Sequence, residues 1–314
     1  MTMRTFVPHR AGDGVSAAWG VRRAVRLAFP GHAALADDAV HTERLRVYLT
    51  DLLRPYGLGL DPDAAALGGQ SYGEMGEALI RLAVPAGESV DLLVLAYSVP
   101  DITPGRATTT YLSHVCPGGP MAFAVSDQGA GGAFTALRLI RAYAEAGESR
   151  RALLLVVEQP SLPYDPGVPV AVPAGAYGVA LLFGEPGPGE RPVRLGPVTT
   201  HTRSDPAALA TALGTLDGTP EPVTAVVGAS LAEQATALPG VERVVTADAG
   251  RPGTGVWWEL AGELTEEPAD PSAAPGRLVL AEHDAGPRQL SLAAFDIGAG
   301  VLSDAVAAAT AGRP

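Results

Sequence analysis

The chain has 314 residues, 47% of them apolar, which is enough for a sizeable core in one large or two small domains. A formal net charge of −12 argues against nucleic acid as the main partner. No run approaches the ~20 apolar residues of a membrane span, and the single cysteine, Cys116, excludes an intrachain disulfide and a cysteine-based zinc centre. Lys and Asn are absent. Aromatic residues are scarce at 5%, while 38 Gly and 28 Pro punctuate the chain, so the core is expected to be built from Ala, Val and Leu. Residues 1–30 show no signal-peptide pattern, and a cytoplasmic protein is expected.

In chain order, Thr5 to Val7 reads as a strand and Val15 to Ala28 as a helix closed by Pro30 and Gly31. Thr42 to Leu53 carries Leu45, Leu49 and Leu52 at helical spacing, and Gly73 to Leu82 reads as a second helix. Asp91 to Ser98 has the length and apolar continuity of a buried strand. Thr108 to Val115 reads as a short helix. Met121 to Val125 is again continuously apolar and reads as a strand covered on both faces. Ser126 to Gly129 then interrupts it, and Leu137, Ile140, Tyr143 and Ala144 fall on one face of a helix ending at Gly147. A helix that starts at such a bend turns its free N–H groups and positive dipole end towards whatever lies in front.

Beyond Gly147, Ala152 to Val157 and Ala176 to Phe183 read as buried strands separated by a proline-rich connection at 160–173. Residues 184–191 form a glycine- and proline-rich loop. Pro192 to Thr202 reads as extended, Asp205 to Leu216 as helical, Val223 to Gly228 and Val241 to Ala247 as strands, and Val256 to Leu264 as a helix. Glu266 to Pro275 is an acidic excursion. Arg277 to Ala281 and Gln289 to Phe295 read as a strand pair joined through 282–288, and Val301 to Ala311 as a closing helix. Strands and helices alternate twice over, which predicts a duplicated α/β architecture with helices on both faces of two central sheets.

The runs DLLVLAYSVPD (91–101), GRATTTYLSHVCPGGPMAFAV (105–125), ALRLIRAYAEAG, ALLLVVEQ, AYGVALLFG (176–184) and GRLVLAEHDAG (276–286) resemble β-ketoacyl-acyl-carrier-protein synthase III of the thiolase superfamily. The likeness spans roughly residues 75–300 by pattern and spacing. It implies a thiolase-like αβαβα layered α/β fold made of two similar halves, divided at 1–184 and 185–314. It also implies a homodimer, or a heterodimer with a condensing synthase. The implied ligand is a thioester of acyl carrier protein or coenzyme A, with no tightly bound cofactor. Active members of the family place a Cys nucleophile at the bend and take a His and an Asn from the second half. Such chemistry needs a thiolate at a helix N-terminus and donors at the developing oxyanion.

This chain departs from that pattern at all three positions. The Cys place falls at Gly129 or Ala130, the His place within Val227 to Ser230, and the Asn place near Arg251 to Thr254. Two readings follow. One is a non-condensing member of acyl or polyketide metabolism that binds acyl groups or partners an active synthase, as chain-length factors do. The other is an acyltransferase, thioesterase or malonyl-thioester decarboxylase with a rebuilt site. In that site Gln128 could donate to a thioester carbonyl, His283 act as base and Ser126 as nucleophile, with Asp284, Asp127 and Glu282 beside them. The plainer alternatives are that Gln128 satisfies turn amides, that Ser126 caps the helix, and that Glu282 to Asp284 form a solvated turn. Arg138, Arg141, Arg150 and Arg151 read either as a carrier-binding strip or as a solvated face. Gly129, Gly131 and Gly132 lack the last glycine of a dinucleotide loop, where Phe134 stands. The remaining histidines show no metal-ligand spacing.

Overall fold

The computed structural model describes residues 16, 18–33, 37–61, 70–103, 107–188, 190–216, 222–236, 238–265, 276–298 and 309–310. The expected strand at Thr5 to Val7, the acidic excursion at Glu266 to Pro275, and 301–308 of the expected closing helix lie outside the described residues.

Two five-stranded arrays repeat one plan. In the first half β1 (Gly20–Ala28), β2 (Leu92–Ala96), β3 (Met121–Val125), β4 (Ala152–Glu158) and β5 (Tyr177–Gly184) run in the order β3-β2-β4-β5-β1. β2 is parallel to β3 and β4, and β5 is antiparallel to β4 and β1. In the second half β6 (Val193–Thr202), β7 (Val223–Val227), β8 (Arg243–Thr246), β9 (Gly276–Asp284) and β10 (Gln289–Ile297) run in the order β8-β7-β9-β10-β6 with the same sense at every pairing. The two halves were expected to hold separate sheets. Instead the single pairing Gly20↔Arg194 joins β1 to β6 in one continuous mixed sheet.

Three cores define the layers. The helices α4 (Gly132–Glu145) and α7 (Gly255–Thr265) lie between the halves, where Phe134, Leu137, Ile140, Trp257 and Leu260 pack on Val94, Leu154 and Leu181 from one side and on Val226, Leu280 and Phe295 from the other. On the outer face of the first half, α2 (Tyr72–Ala83) and α3 (Thr108–Val115) set Tyr72, Met75, Leu79 and Leu112 on Leu93, Leu95, Leu153 and Leu155. On the outer face of the second, α5 (Leu209–Leu213) and α6 (Ala232–Ala235) cover Ala225, Val227, Val279 and Leu292. The result is an αβαβα arrangement. Alternate residues of β2 and β4 enter different cores, which is why both strands are apolar without interruption. An additional helix, α1 (Ala39–Leu53), begins at Asp38, whose carboxylate accepts from the Val40 and His41 N–H groups, and buries only Leu49 and Leu53. No described helix is long and apolar enough to cross a membrane.

Several expectations are corrected. Val15 to Ala28 is not a helix: Gly20–Ala28 is a strand between β5 and β6, with Val21 and Ala24 in the central core and Val25 and Leu27 in the outer one. Met121–Val125 is an edge strand paired only with β2, so Met121 and Ala124 are exposed although the run is apolar. Asp205 to Leu216 divides into a 3-10 turn and the short α5. Ala309–Thr310 pairs with β1 as a two-residue strand, not as part of a helix. The final hairpin is longer than expected. β9 continues through Asp284 and β10 starts at Gln289, which places Glu282, His283 and Asp284 within the strand and leaves only 285–288 for the turn.

Candidate functional site

The parallel strands of each half point their carboxyl ends at one place, as ligand clefts in α/β proteins commonly require. β2 leads to Ser98, β3 to the bend at 126–131, β7 to Gly228 and β9 to Glu282 and Asp284. Between them lies a cavity of about 1130 Å³, bordered by Ser98, the bend from Asp127 to Ala130, Ser230, Arg251, the end of β9, and Val168 to Ala171 of the proline-rich connection.

The bend is sharp because two left-handed positions flank Gln128. Asp127 has φ 59° and Gly129 has φ 50°, and a 3-10 turn over Gly129–Gly131 then feeds α4. Only glycine fits at 129. A Cβ there would overlap the carboxylate of Asp284, which accepts a hydrogen bond from the Ala130 N–H at 3.0 Å and another from the Gly286 N–H at 3.0 Å. The same arrangement recurs across the cavity. A Cβ on Gly228 would overlap the Glu282 carboxylate, and one on Gly253 would come within 3.0 Å of Glu158. At Gly129, Gly228 and Gly253, then, carboxylates from neighbouring strands lie where a side chain would go.

Burial raises two of those carboxyl groups well above the usual carboxylate range. Burial pushes Glu158 up to about 7, against hydrogen bonds from the Thr254 hydroxyl and the Gly253 N–H (2.7 Å) and against the charge of Arg251. Burial pushes Glu282 up to about 8. The His283 N–H, which donates to it at 3.1 Å, opposes the rise, while the charges of Asp284 and Glu158 add to it.

The remaining candidates are separated by the structure. His283 is buried, and its Nε2 lies 3.0 Å from the Ser204 carbonyl oxygen, which holds the ring in the strand environment. Ser126 does not border the cavity. Its hydroxyl donates to Asp127 at 3.4 Å, so it is not brought to His283. Gln128 is exposed at the cavity wall, and its Oε1 accepts from the Thr135 hydroxyl at 2.6 Å. Arg138 and Arg150 are exposed, whereas Arg141 pairs with Glu145 (2.6 Å) and reaches the Gly196 carbonyl, and Arg151 pairs with Glu88 (3.3 Å). Cys116 is buried in the outer core, with its thiol pushed up to about 12 by burial, and does not border the cavity. Among the described residues no group of His, Cys, Asp and Glu is arranged to hold a metal.

Sequence reasoning missed Glu158, Ser98, Thr254 and Arg251. The first carried a signal: a carboxylate ending the apolar run ALLLVVE sits at the carboxyl end of a buried strand, the usual location of a site. Arg251 had none, since its guanidinium is placed by tertiary stacking on Tyr177 (4.6 Å) and Trp258 (4.4 Å).

No family model matches the chain, and no curated protein matches it by sequence. Solved structures do match. AbyA1, a tetronic acid condensing enzyme, superimposes with a TM-score of 0.58 at 19% identity, covering 88% of this chain and 99% of that one. ChlB3, described as an acyltransferase, gives 0.58 at 18%, covering 90% and 98%. OleA of Xanthomonas campestris with bound acetamide gives 0.55 at 13%, covering 88% and 98%. These neighbours are synthase-III-like enzymes of the thiolase superfamily, and the chain shares their thiolase-like αβαβα fold.

Proposed function

We propose that the protein is a non-condensing, synthase-III-like component of acyl or polyketide metabolism. It holds an acyl thioester in the cavity between its halves and acts beside a Cys-containing synthase. The observation that carries this reading is the replacement at the bend: Gly129, with Asp284 in its side-chain space, offers no nucleophile where an acyl group would be received. The cavity itself is retained, with Val168, Val170, Ala229, Ala247 and Ala285 giving it apolar walls suited to an acyl chain. The neighbours' printed roles in condensation and acyl transfer agree with an acyl ligand.

A partner is supported by the β3 edge. Met121 and Ala124 leave an apolar strand open to pairing, and such edges are normally covered. The equivalent edge of the second half, β8, is exposed but carries Arg243 and Thr246. The thioester is delivered by acyl carrier protein or coenzyme A, with Arg138 and Arg150 as the exposed cations that an acidic carrier would meet.

Co-expression with a Cys-containing synthase of the same pathway tests the partner role. A stable heterodimer that is lost on Ala124→Lys supports it. A protein that remains free of the synthase and alone turns over acyl or malonyl thioesters contradicts it. A rebuilt hydrolytic or acyl-transfer site is favoured by one feature, the Glu282 carboxyl at the cavity wall, which burial pushes up to about 8, into the range of a general acid. Turnover by the isolated chain that falls on Glu282→Gln and Asp284→Asn would establish that alternative.

A further inference from the structure

Arg251 is the one arginine among the described residues that border the cavity, and both its backbone and its side chain are fixed there. In the turn leading into α7, its N–H donates to the Asp248 carbonyl at 3.0 Å and its own carbonyl accepts from the Gly255 N–H at 2.8 Å. The side chain, 19% exposed, stacks on Tyr177 at 4.6 Å and on Trp258 at 4.4 Å. Such a clamp holds the charge in place but satisfies none of the guanidinium N–H donors. Nε is buried without a partner, and the carboxylates of Glu259 at 3.8 Å and Asp248 at 4.0 Å lie beyond hydrogen-bond distance. Other donors at the cavity are already engaged. The Ala130 N–H donates to Asp284 at 3.0 Å, the Ser230 hydroxyl to the His283 carbonyl at 3.1 Å, and Nε2 of Gln289 to the Ser291 hydroxyl at 3.2 Å.

We propose that Arg251 donates to the carbonyl oxygen of the bound acyl thioester, and so is the residue that fixes where the acyl group sits. The proposal rests on the acyl-binding reading above and adds the group that reads the thioester. A guanidinium that is largely desolvated, and for which no described residue is an acceptor, gains a charge-assisted hydrogen bond from a ligand oxygen. The aromatic clamp has already ordered the side chain, so that bond forms without the entropy cost of immobilising a long flexible group. A neutral carbonyl suits the position better than a carboxylate. Asp248 and Glu259 already offset the guanidinium charge from within 4.0 Å, and a full anion would meet their repulsion.

The test is titration calorimetry of the full-length protein with two uncharged, non-cleavable pantetheine probes of equal length. One is a butyryl ketone in which methylene replaces the thioester sulfur, and the other is S-butyl-pantetheine, which lacks the carbonyl. The ketone is expected to bind the unmodified protein about tenfold tighter than the thioether. Arg251→Met keeps a long side chain against Tyr177 and Trp258 but has no donor, and is expected to bind the two probes equally, with circular dichroism reporting its fold. A second reading needs no variant: in the infrared difference spectrum of the unmodified protein, the isotope-labelled carbonyl of the bound ketone is expected to absorb at lower frequency than in water. Equal binding of the two probes by the unmodified protein, a preference that survives in Arg251→Met, or a carbonyl frequency at or above its value in water overturns the role of Arg251 and leaves acyl binding intact. Failure of both probes to bind the unmodified protein overturns both readings.

Discussion

Replacing Gly129 with Cys is expected to destabilise the protein by about 3 kcal/mol, roughly 6 °C in Tm. Two costs combine. A side chain at φ 50° carries about 1–2 kcal/mol of left-handed strain. The Cβ also displaces the Asp284 carboxylate from the Ala130 N–H, a charge-assisted hydrogen bond worth about 1.5–3 kcal/mol. Asp284→Gly in the same chain removes the overlap but not the strain. The double variant is therefore expected to recover about 1–2 kcal/mol relative to Gly129→Cys alone. Denaturant melts of the four proteins in this cycle measure the coupling. Additive losses would show that Asp284 does not occupy the space of residue 129.

Glu282→Gln is expected to stabilise the protein increasingly as pH rises from 4 to 8. The carboxyl titrates near 4 in the unfolded chain and is pushed up to about 8 when folded, so the native state binds a proton more tightly. Stability from this group is complete below about pH 4 and is lost as pH rises through the folded value. An amide carries no such dependence. The two proteins should therefore melt together near pH 4 and differ by about 5 kcal/mol at pH 8.5, with Gln the more stable. Glu158 titrates in the same direction through about 7 and is felt by Glu282, so the two effects do not add. A gap independent of pH would mean that Glu282 is not held neutral.

Much of the fold is legible in the chain because both faces of β2, β4 and β5 are buried and their sequences are unbroken apolar runs. The duplication is legible as the same alternation occurring twice. β1 was not, since GVRRAVRLA satisfies a helical spacing as well as a strand, and only its pairing with β5 decides between them. The site was half legible. The bend announces itself through Ser126 to Gly132, and the inventory of Cys and Asn limits what it can do. The filling of Gly129 by Asp284, of Gly228 by Glu282 and of the space beside Gly253 by Glu158 joins residues up to 155 positions apart. No local pattern encodes such contacts. The role of β3 as an edge was hidden for a related reason: an apolar edge strand reads like one buried between two neighbours.

The central claim is that the cavity receives an acyl thioester without accepting its acyl group. Intact-protein mass spectrometry after incubation with an acyl-pantetheine thioester tests it directly. The expected result is a non-covalent complex under native conditions and an unmodified chain mass after denaturation. An acyl adduct that survives denaturation, on the bend or elsewhere at the cavity, would contradict it.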